Sequence, residues 1–249
     1  MDAAERIARE RDFHNQRFAD NTERETRTRR FYDAIAYGFE SFRERVTAVS
    51  RGRTVLEYGC GDEIMAFDLS PTARHVTGID ISDVAIHLAE RQASQRGLMN
   101  VKFHVDNAED MHIPDGSVDV VVGSGIIHHL DIERSMQELR RVMREGGVAI
   151  FAEPLGHNPV VNWYRNRTPE LRTPDEHPLL VRDLKAMARR FRNSRVTYFG
   201  MIAPLLGLVS RNVRSSSPLT RAVWALDRLV CKVPFFNRYA WFCVVELQA

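Results

Sequence analysis

The chain has 249 residues, and its 35 Lys and Arg nearly balance its 33 Asp and Glu, for a formal net charge of +2. This length suits one α/β domain, residues 1–249, with added cap elements, and the mild charge gives no reason to expect a nucleic-acid partner. The three cysteines are odd in number, which argues against a disulfide framework, and none is placed like a metal ligand. The charged N-terminus lacks a secretory pattern, so we expect a cytoplasmic protein. We also expect no bound metal.

Residues 1–50 are rich in opposite charges and carry scattered aromatic side chains, which predicts an N-terminal helical cap. Tyr32 is a candidate to line a substrate site from above. Packing of these aromatic residues on a sheet or on a second subunit explains them equally well.

The next segment, Val-Leu-Glu-Tyr-Gly-Cys-Gly at residues 55–61, is an apolar run that ends in two glycines. Glycine tolerates positive φ and lets the backbone approach a ligand closely, so Gly59 and Gly61 predict a tight crossing from a strand to a helix. About 20 residues later a second apolar strand ends in Asp80, where a carboxylate accepts hydrogen bonds from ribose hydroxyls. Together these two strand ends predict a nucleoside site.

The glycine turn lacks the third glycine of a dinucleotide site, since Ile64 stands there. Asp62 and Glu63 occupy the place where a pyrophosphate would meet a helix N-terminus, and their charges would repel it. A ligand without phosphate and with a positive sulfonium fits this turn better.

These motifs resemble the class I S-adenosylmethionine-dependent methyltransferases, through Glu57-Tyr58-Gly59-Cys60-Gly61 and Asp80. The resemblance implies a Rossmann-like, seven-stranded, mostly parallel sheet with an antiparallel edge strand and a helical cap. It departs from the family at Glu63, where a third glycine is usual, and at Asn107, where aspartate is commoner.

S-adenosylmethionine is the cofactor that the resemblance implies, with S-adenosylhomocysteine as its product. An adenine-reading segment is expected at residues 105–110, where Asn107 offers an amide oxygen and Ala108 a backbone N–H. The implied cofactor-binding residues are Glu57, Gly59, Cys60, Gly61, Asp80, Ile81, Asn107, Ala108, Glu109, Ser124, Gly125 and His129.

A helix is expected after Asp131, its N-cap, with Met136, Leu139, Val142 and Met143 buried and Gly146-Gly147 at its end. Strand five follows and closes on Glu153, so we expect the cofactor-binding core to span residues 51–153. Residues 154–249 are expected to form the acceptor-side cap and the last two strands, at 195–199 and 240–247.

Residues 154–178 hold five prolines among polar and charged residues, which predicts a shaped loop at the edge where ligands bind in open α/β sheets. Its candidates for substrate binding are Trp163, Tyr164, Arg165, Arg167, Arg172, Glu176 and His177. The arginines would clamp a diphosphate, or they would pair with Asp175 and Glu176 to fix the loop.

In this family the methyl group moves in line from the sulfonium to the acceptor, so positioning does most of the work and no protein nucleophile is required. A base is needed only when the attacking atom must lose a proton or when a carbocation forms. The candidates for catalysis are Glu153, at the end of strand five, then His129 and His157.

The loop after Glu153 resembles a bacterial branch of small-molecule methyltransferases that includes enzymes acting at carbon on prenyl chains. Carbon methylation of a prenyl diphosphate or isoprenoid is therefore one hypothesis. O- or N-methylation of an aromatic or polyketide-like metabolite is the alternative, and a catalytically silent binding protein is a third.

The apolar run at residues 201–209 is too short to span a bilayer, and a second apolar stripe follows between Leu219 and Val230. We interpret them as a lid over a lipophilic acceptor. A cap core, a face for homo-oligomers and peripheral membrane contact stay open as alternatives.

Overall fold

The computed structural model of the chain describes residues 3–20, 23–168, 173, 175–210 and 212–249, without the side chains of residues 3, 20 and 23–28. Within these residues seven strands form one sheet in the order β3-β2-β1-β4-β5-β7-β6. The strands are β1 Thr54–Tyr58, β2 His75–Asp80, β3 Val101–Val105, β4 Val118–Ser124, β5 Met143–Pro154, β6 Asn193–Phe199 and β7 Phe242–Gln248.

The first five strands pair in parallel, whereas β7 runs antiparallel to both of its neighbours, β5 and β6. The predicted fold class is confirmed, and the antiparallel strand lies one place in from the edge. Strand order reverses between β1 and β4, so the carboxyl ends of these strands flank the crevice where doubly wound sheets bind ligands.

Helices cover both faces of the sheet and one end of it. The described helices are α1 Ala3–Asp20, α2 Glu23–Ala34, α3 Ala36–Ser50, α4 Ala66–Leu69, α5 Asp83–Gln95, α6 Ile132–Val142, α7 Pro159–Asn166, α8 Val181–Ala188, α9 Leu206–Val209 and α10 Pro218–Val230. The helical character expected for the N-terminal 50 residues is confirmed for those described. No helix among the described residues is long and apolar enough to cross a membrane.

The core lies on both faces because successive residues of the central strands point in opposite directions. Val55 of β1 packs with the layer of α3 and α5, and its neighbour Leu56 packs with α6 and α8 on the other face. Both side chains are fully buried, as is Val121 of β4. Each such side chain contributes roughly 1.5–3 kcal/mol of hydrophobic stabilisation, and this two-sided burial fixes the sheet under the site.

Helix α6 begins as expected at Asp131, whose carboxylate accepts the Arg134 N–H at 3.0 Å. The predicted end at Gly146-Gly147 is wrong, because the helix ends at Val142 and the glycines belong to β5. The two glycines are hydrogen-bonded to the C-terminal residue: the Gly146 N–H donates to the Ala249 carbonyl, and the Ala249 N–H donates to the Gly147 carbonyl. Gly146 has a φ of 76°, which suits a kinked strand entry and not a helix.

A buried carboxylate ties the N-terminal helices to the C-terminal ones. Asp227 of α10 is fully buried and accepts the Tyr37 hydroxyl together with the backbone N–H groups of Gly200 and Ala203 at 2.8 and 2.9 Å. Nearby, the Trp224 indole donates to the Ala34 carbonyl at 2.7 Å. These bonds satisfy the buried polar atoms and hold α10 against α3.

Candidate functional site

A cavity of about 1230 Å³ opens at the carboxyl ends of β1, β2 and β4, where the reversal in strand order predicts a ligand site. Helix α1 lies across it, with Phe18 near Gly61 and Asn15 hydrogen-bonded to Ser82 and Asp83. Each of the twelve residues that the sequence assigned to cofactor binding lines this cavity.

The glycine turn between β1 and α4 has the expected backbone. Gly59 and Gly61 have φ values of 72° and 46°, and a Cβ on Gly59 would lie 2.7 Å from the Ile126 side chain. The N–H groups of Gly59 and Cys60 both donate to the Ile79 carbonyl, at 2.9 and 3.0 Å. The turn is therefore fixed on β2 and leaves no room for a side chain at Gly59.

Glu57 holds the same turn from below. Its two carboxylate oxygens accept the N–H groups of Met65 and Ala66 at 2.6 and 2.8 Å, at the start of α4. Burial raises the pKa of Glu57 to about 8, although these two donors act in the opposite direction. Its contacts give Glu57 a structural part in shaping the cavity wall.

Asp80, at the end of β2, is joined directly to the glycine turn. One oxygen accepts the Gly61 N–H and the other the Ser82 N–H, each at 2.9 Å. Ile81 follows it in the cavity wall. The carboxylate is thus held at a strand end with lone pairs still available, which is the placement that ribose recognition needs.

The segment after β3 supplies the third wall. Asn107 accepts the Glu109 N–H with its side-chain oxygen at 3.0 Å, and the Ala108 carbonyl accepts the Tyr58 hydroxyl. The Glu109 carboxylate pairs with Arg6 at 2.6 Å and accepts the Asp131 N–H at 2.8 Å. Glu109 therefore lines the cavity while fastening α1 to the loop after β4.

The loop after β4 carries Ser124, Gly125 and two adjacent histidines. Gly125 has a φ of 67° and donates its N–H to the Ala152 carbonyl at 2.8 Å. His128 and His129 follow in a 3-10 turn, with ring centroids 4.2 Å apart, and both line the cavity.

Glu153 is fully buried behind His128 and is absent from the cavity wall. One carboxylate oxygen accepts the N–H groups of Ile126 and Ile127 at 2.9 Å, and the other lies 2.8 Å from His128 Nδ1. Burial raises the pKa of Glu153 to about 7, while the backbone donors and His129 lower it. Burial also lowers the pKa of His128 well below its usual range, so this ring is neutral.

Sequence reasoning missed a cluster contributed by α1. Glu10 lies 3.2 Å from His129 Nδ1 and 3.5 Å from His14 Nε2, and its other oxygen accepts the Thr173 hydroxyl. Arg6, Glu10 and His14 recur every four residues, so they share one face of a helix. That spacing was the available signal, and it was hidden in a helix otherwise rich in exposed charges.

The acceptor-side candidates divide into two groups. Tyr32, Tyr164, Arg165 and Glu176 line the cavity, and Arg165 forms an ion pair with Glu176. The remaining described candidates, His157, Trp163, Arg167 and His177, lie outside the cavity wall.

Local contacts explain the second group. Trp163 is 56% exposed with the Arg167 guanidinium 4.0 Å from its ring centroid. His157 Nε2 accepts the Val181 N–H at 3.1 Å, and the His177 N–H donates to the His128 carbonyl at 2.9 Å. Arg172 lies outside the described residues. The expected pairing of loop arginines with loop acids is found for Arg165.

The predicted apolar lid contributes nothing to the cavity wall within the described residues, since none of residues 201–210 or 218–230 lines it.

Residues 56–151 match the family described as Methyltransferase domain. The chain is 28% identical over 122 residues to an uncharacterized methyltransferase, YcgJ, of Bacillus subtilis, covering 48% of each chain. It is 31% identical over 108 residues to a demethylmenaquinone methyltransferase of Listeria monocytogenes, covering 41% of this chain and 45% of the relative. The chain thus spans about half the length of these curated relatives.

Among solved structures, the fold is similar to a geranyl diphosphate C-methyltransferase from Streptomyces coelicolor in complex with Mg²⁺, geranyl diphosphate and S-adenosyl-L-homocysteine. The TM-score is 0.60 at 15% identity, and the match covers 84% of this chain and 79% of the other. Identity at this level establishes a shared fold alone.

Proposed function

Because this chain contains a class I S-adenosylmethionine-dependent methyltransferase domain, we propose that it transfers a methyl group from that cofactor to a lipophilic small molecule. One observation carries the proposal: the Gly59–Gly61 turn and the Asp80 carboxylate are hydrogen-bonded to each other at the wall of one large cavity. Such coupling lets a single rigid edge bind both the ribose and the methionine end of the cofactor.

The donor set fits the cofactor in this proposal. Asp80 accepts the ribose hydroxyls, and Asn107 with the Ala108 N–H reads the adenine edge. Ser124, Gly125 and His129 lie toward the methionine end. Asp62 and Glu63, which also line the cavity, are adverse to a pyrophosphate and favourable to a sulfonium.

Catalysis in this proposal is chiefly positioning. The bound cofactor supplies the electrophilic methyl group, and the cavity walls hold the acceptor in line with it. Alignment of two reactants lowers a barrier by roughly 7–11 kcal/mol. Helix α1, fastened by Arg6 to Glu109, covers the site and limits the access of water.

His128 is the base that we propose, with Glu153 as its positioning residue. In this arrangement Glu153 accepts a hydrogen bond from Nδ1–H of the neutral ring, so the Nε2 lone pair points away from Glu153. Nε2 lies 3.9 Å from Glu176. A carboxylate that orients an imidazole in this way selects one tautomer and holds its acceptor nitrogen in place. His128 then takes a proton either from an attacking hydroxyl or amine or from a methylated carbocation.

Two acceptor classes remain within this function. Carbon methylation of a prenyl diphosphate is supported by Arg165 in the cavity wall and by the geranyl diphosphate that the similar structure contains. Methylation of an oxygen or nitrogen atom is favoured by His128 and His129, which give the cavity groups able to accept a proton. The pairing of Arg165 with Glu176 weakens a diphosphate clamp, because part of its charge is already neutralised.

The test is methyl transfer from labelled S-adenosylmethionine to prenyl diphosphates of increasing length, beside phenols and amines. Product from a diphosphate, lost in Arg165→Glu but kept in the exposed control Arg189→Glu, would support carbon methylation. Product from phenols or amines alone would leave oxygen or nitrogen transfer. A chain that binds the cofactor and methylates none of these compounds would favour a catalytically silent binding protein.

A further inference from the structure

Exposed apolar side chains are concentrated in one stretch of this chain. Those between residues 205 and 236 are here together called the α9–α10 surface: Leu205, Leu208, Val209, Leu219, Leu226, Leu229, Val233, Phe235 and Phe236. Val209 is 80% exposed, and Leu219 and Leu229 are more than 60% exposed. Exposed apolar patches of this kind mark contact with another molecule or a membrane.

Helix α10 shows that the exposure follows a pattern. One face, with Thr220, Trp224 and Asp227, is buried against the protein. Leu226 and Leu229 lie on a second face, which points to solvent, and the exposed Val233 follows just beyond the end of the helix. Burial on the first face already accounts for the folding of α10, so the second apolar face needs another explanation.

A third face of the same helix is basic. Arg221 and Arg228, with Lys232 just beyond the helix end, are spaced seven and four residues apart and are exposed. A helix with adjoining apolar and basic faces is the form that lies in the interface of a bilayer. The aromatic pair Phe235 and Phe236 follows directly and is also exposed.

The positive charge of residues 205–239 indicates which kind of partner binds the α9–α10 surface. Residues 205–239 contain six Lys or Arg and a single acid, Asp227, whereas the whole chain has a net charge of only +2. Asp227 is buried and hydrogen-bonded, so it does not offset the basic side chains at the surface. Two copies of such a surface would repel each other, while anionic lipid headgroups attract each nearby Lys or Arg.

The α9–α10 surface adjoins the wall of the cavity. Helix α9 packs on α2, where a Cβ on Gly207 would lie 2.6 Å from the Phe31 ring. The next residue, Tyr32, lines the cavity and packs on Trp241, with ring centroids 5.1 Å apart. A membrane against this surface would therefore lie beside the site.

We propose that the α9–α10 surface binds the interface of an anionic lipid bilayer, with Leu226, Leu229, Phe235 and Phe236 entering the headgroup boundary and Arg221 and Lys232 contacting lipid phosphates. The binding itself is independent of the proposed function. The purpose that we propose for membrane binding is access to a lipophilic acceptor dissolved in the bilayer, and this purpose rests on the proposed function.

The test is co-sedimentation of the full chain with vesicles of phosphatidylcholine alone and of phosphatidylcholine with phosphatidylserine. We expect binding to the anionic vesicles and a loss of at least tenfold in affinity for the pair Leu226→Ser, Leu229→Ser and for the pair Arg221→Glu, Lys232→Glu. The control pair Leu88→Ser, Met99→Ser removes exposed apolar side chains elsewhere and is expected to bind like the wild type.

Absence of wild-type binding, an equal loss in the control pair, or equal binding to neutral vesicles would each overturn the proposal. So would a stable dimer that Leu226→Ser, Leu229→Ser dissociates in a chain that binds no vesicles. S-adenosylmethionine binding, measured without lipid on every variant, confirms folding and separates failure of this proposal from failure of the proposed function.

Discussion

The two halves of the cavity are built in different ways. The half that we propose for the cofactor, here called the cofactor half, draws on strand ends and turns between residues 57 and 129, and many of its bonds are made by backbone N–H groups, as at Gly59, Gly61 and Ser82. The cover over the cavity, which includes the proposed acceptor half, is held by side-chain pairs between distant segments. Arg6 pairs with Glu109, Glu10 with Thr173, and Arg9 with Asp175.

From this difference we infer that the cofactor half is rigid, whereas the acceptor half changes readily when its side chains are substituted. Backbone bonds at the ends of buried central strands change little when a side chain is replaced. Where α1 and a loop cover the cavity, side-chain pairs hold them together, and each pair depends on both partners. A few substitutions in these segments can therefore change which acceptor the cavity binds. The experiments below test this division.

The largest effect is expected at His128, where the two halves meet. His128→Asn keeps an N–H donor for Glu153 and removes the nitrogen that we propose as the base. We expect kcat to fall roughly 10²- to 10⁴-fold, which is the usual contribution of a positioned base. Cofactor affinity should stay near the wild-type value, as measured by calorimetry, and unchanged kcat would remove His128 from the mechanism.

The next effect is expected at Asp80. Asp80→Ala removes the acceptor that we propose for two ribose hydroxyls and one bond to the glycine turn, so cofactor binding should weaken by roughly 2–4 kcal/mol. The exposed Asp68, in the first turn of α4, supplies the control Asp68→Ala. Equal affinities for wild type and Asp80→Ala in a calorimetric titration would refute the assignment of Asp80.

Gly59 tests the rigidity of the cofactor half. Gly59→Ala combines positive φ with a contact of 2.7 Å to Ile126, whereas Gly97→Ala has a similar φ of 64° and open space around it. We expect Gly97→Ala to cost about 1 kcal/mol of stability in urea unfolding and Gly59→Ala about 1–2 kcal/mol more. Equal costs would mean that the turn yields to the added methyl group.

The last test concerns a dependence of stability on pH at Glu153. Burial raises its pKa from 4.5 to about 7, so the folded state holds the proton more tightly. The stabilisation is complete below 4.5 and is lost as the pH rises through 7, at up to about 1.4 kcal/mol per pH unit.

Glu153→Gln carries no titrating carboxyl, so its free energy of unfolding lacks this pH dependence. Relative to the wild type, the variant should therefore become more stable as the pH rises through this range. The exposed Glu145→Gln serves as the control. Urea unfolding curves at several pH values measure the difference, and a constant difference for Glu153→Gln would contradict the cause given for its pKa.

The residues of the proposed cofactor half could be predicted from the sequence because glycine turns and strand-end acids give local sequence signals. Gly59, Gly61 and Asp80 were each predictable from their neighbours, and the fold class was implied by the family resemblance of the motifs that contain them. The end of α6 was misplaced, since pairing of Gly146 and Gly147 with the distant Ala249 decided it. Residues such as Glu10 and Thr173 lie 163 positions apart, and no local pattern records that they meet.

The central claim is that the Gly59–Gly61 turn, together with the Asp80 carboxylate hydrogen-bonded to it, holds S-adenosylmethionine. Its most direct test is a calorimetric titration of the full chain with S-adenosylmethionine and, in parallel, with NAD, whose pyrophosphate Asp62 and Glu63 should repel. One S-adenosylmethionine bound per chain, with no detectable heat from NAD, is the expected result. Binding of NAD without binding of S-adenosylmethionine would contradict the account.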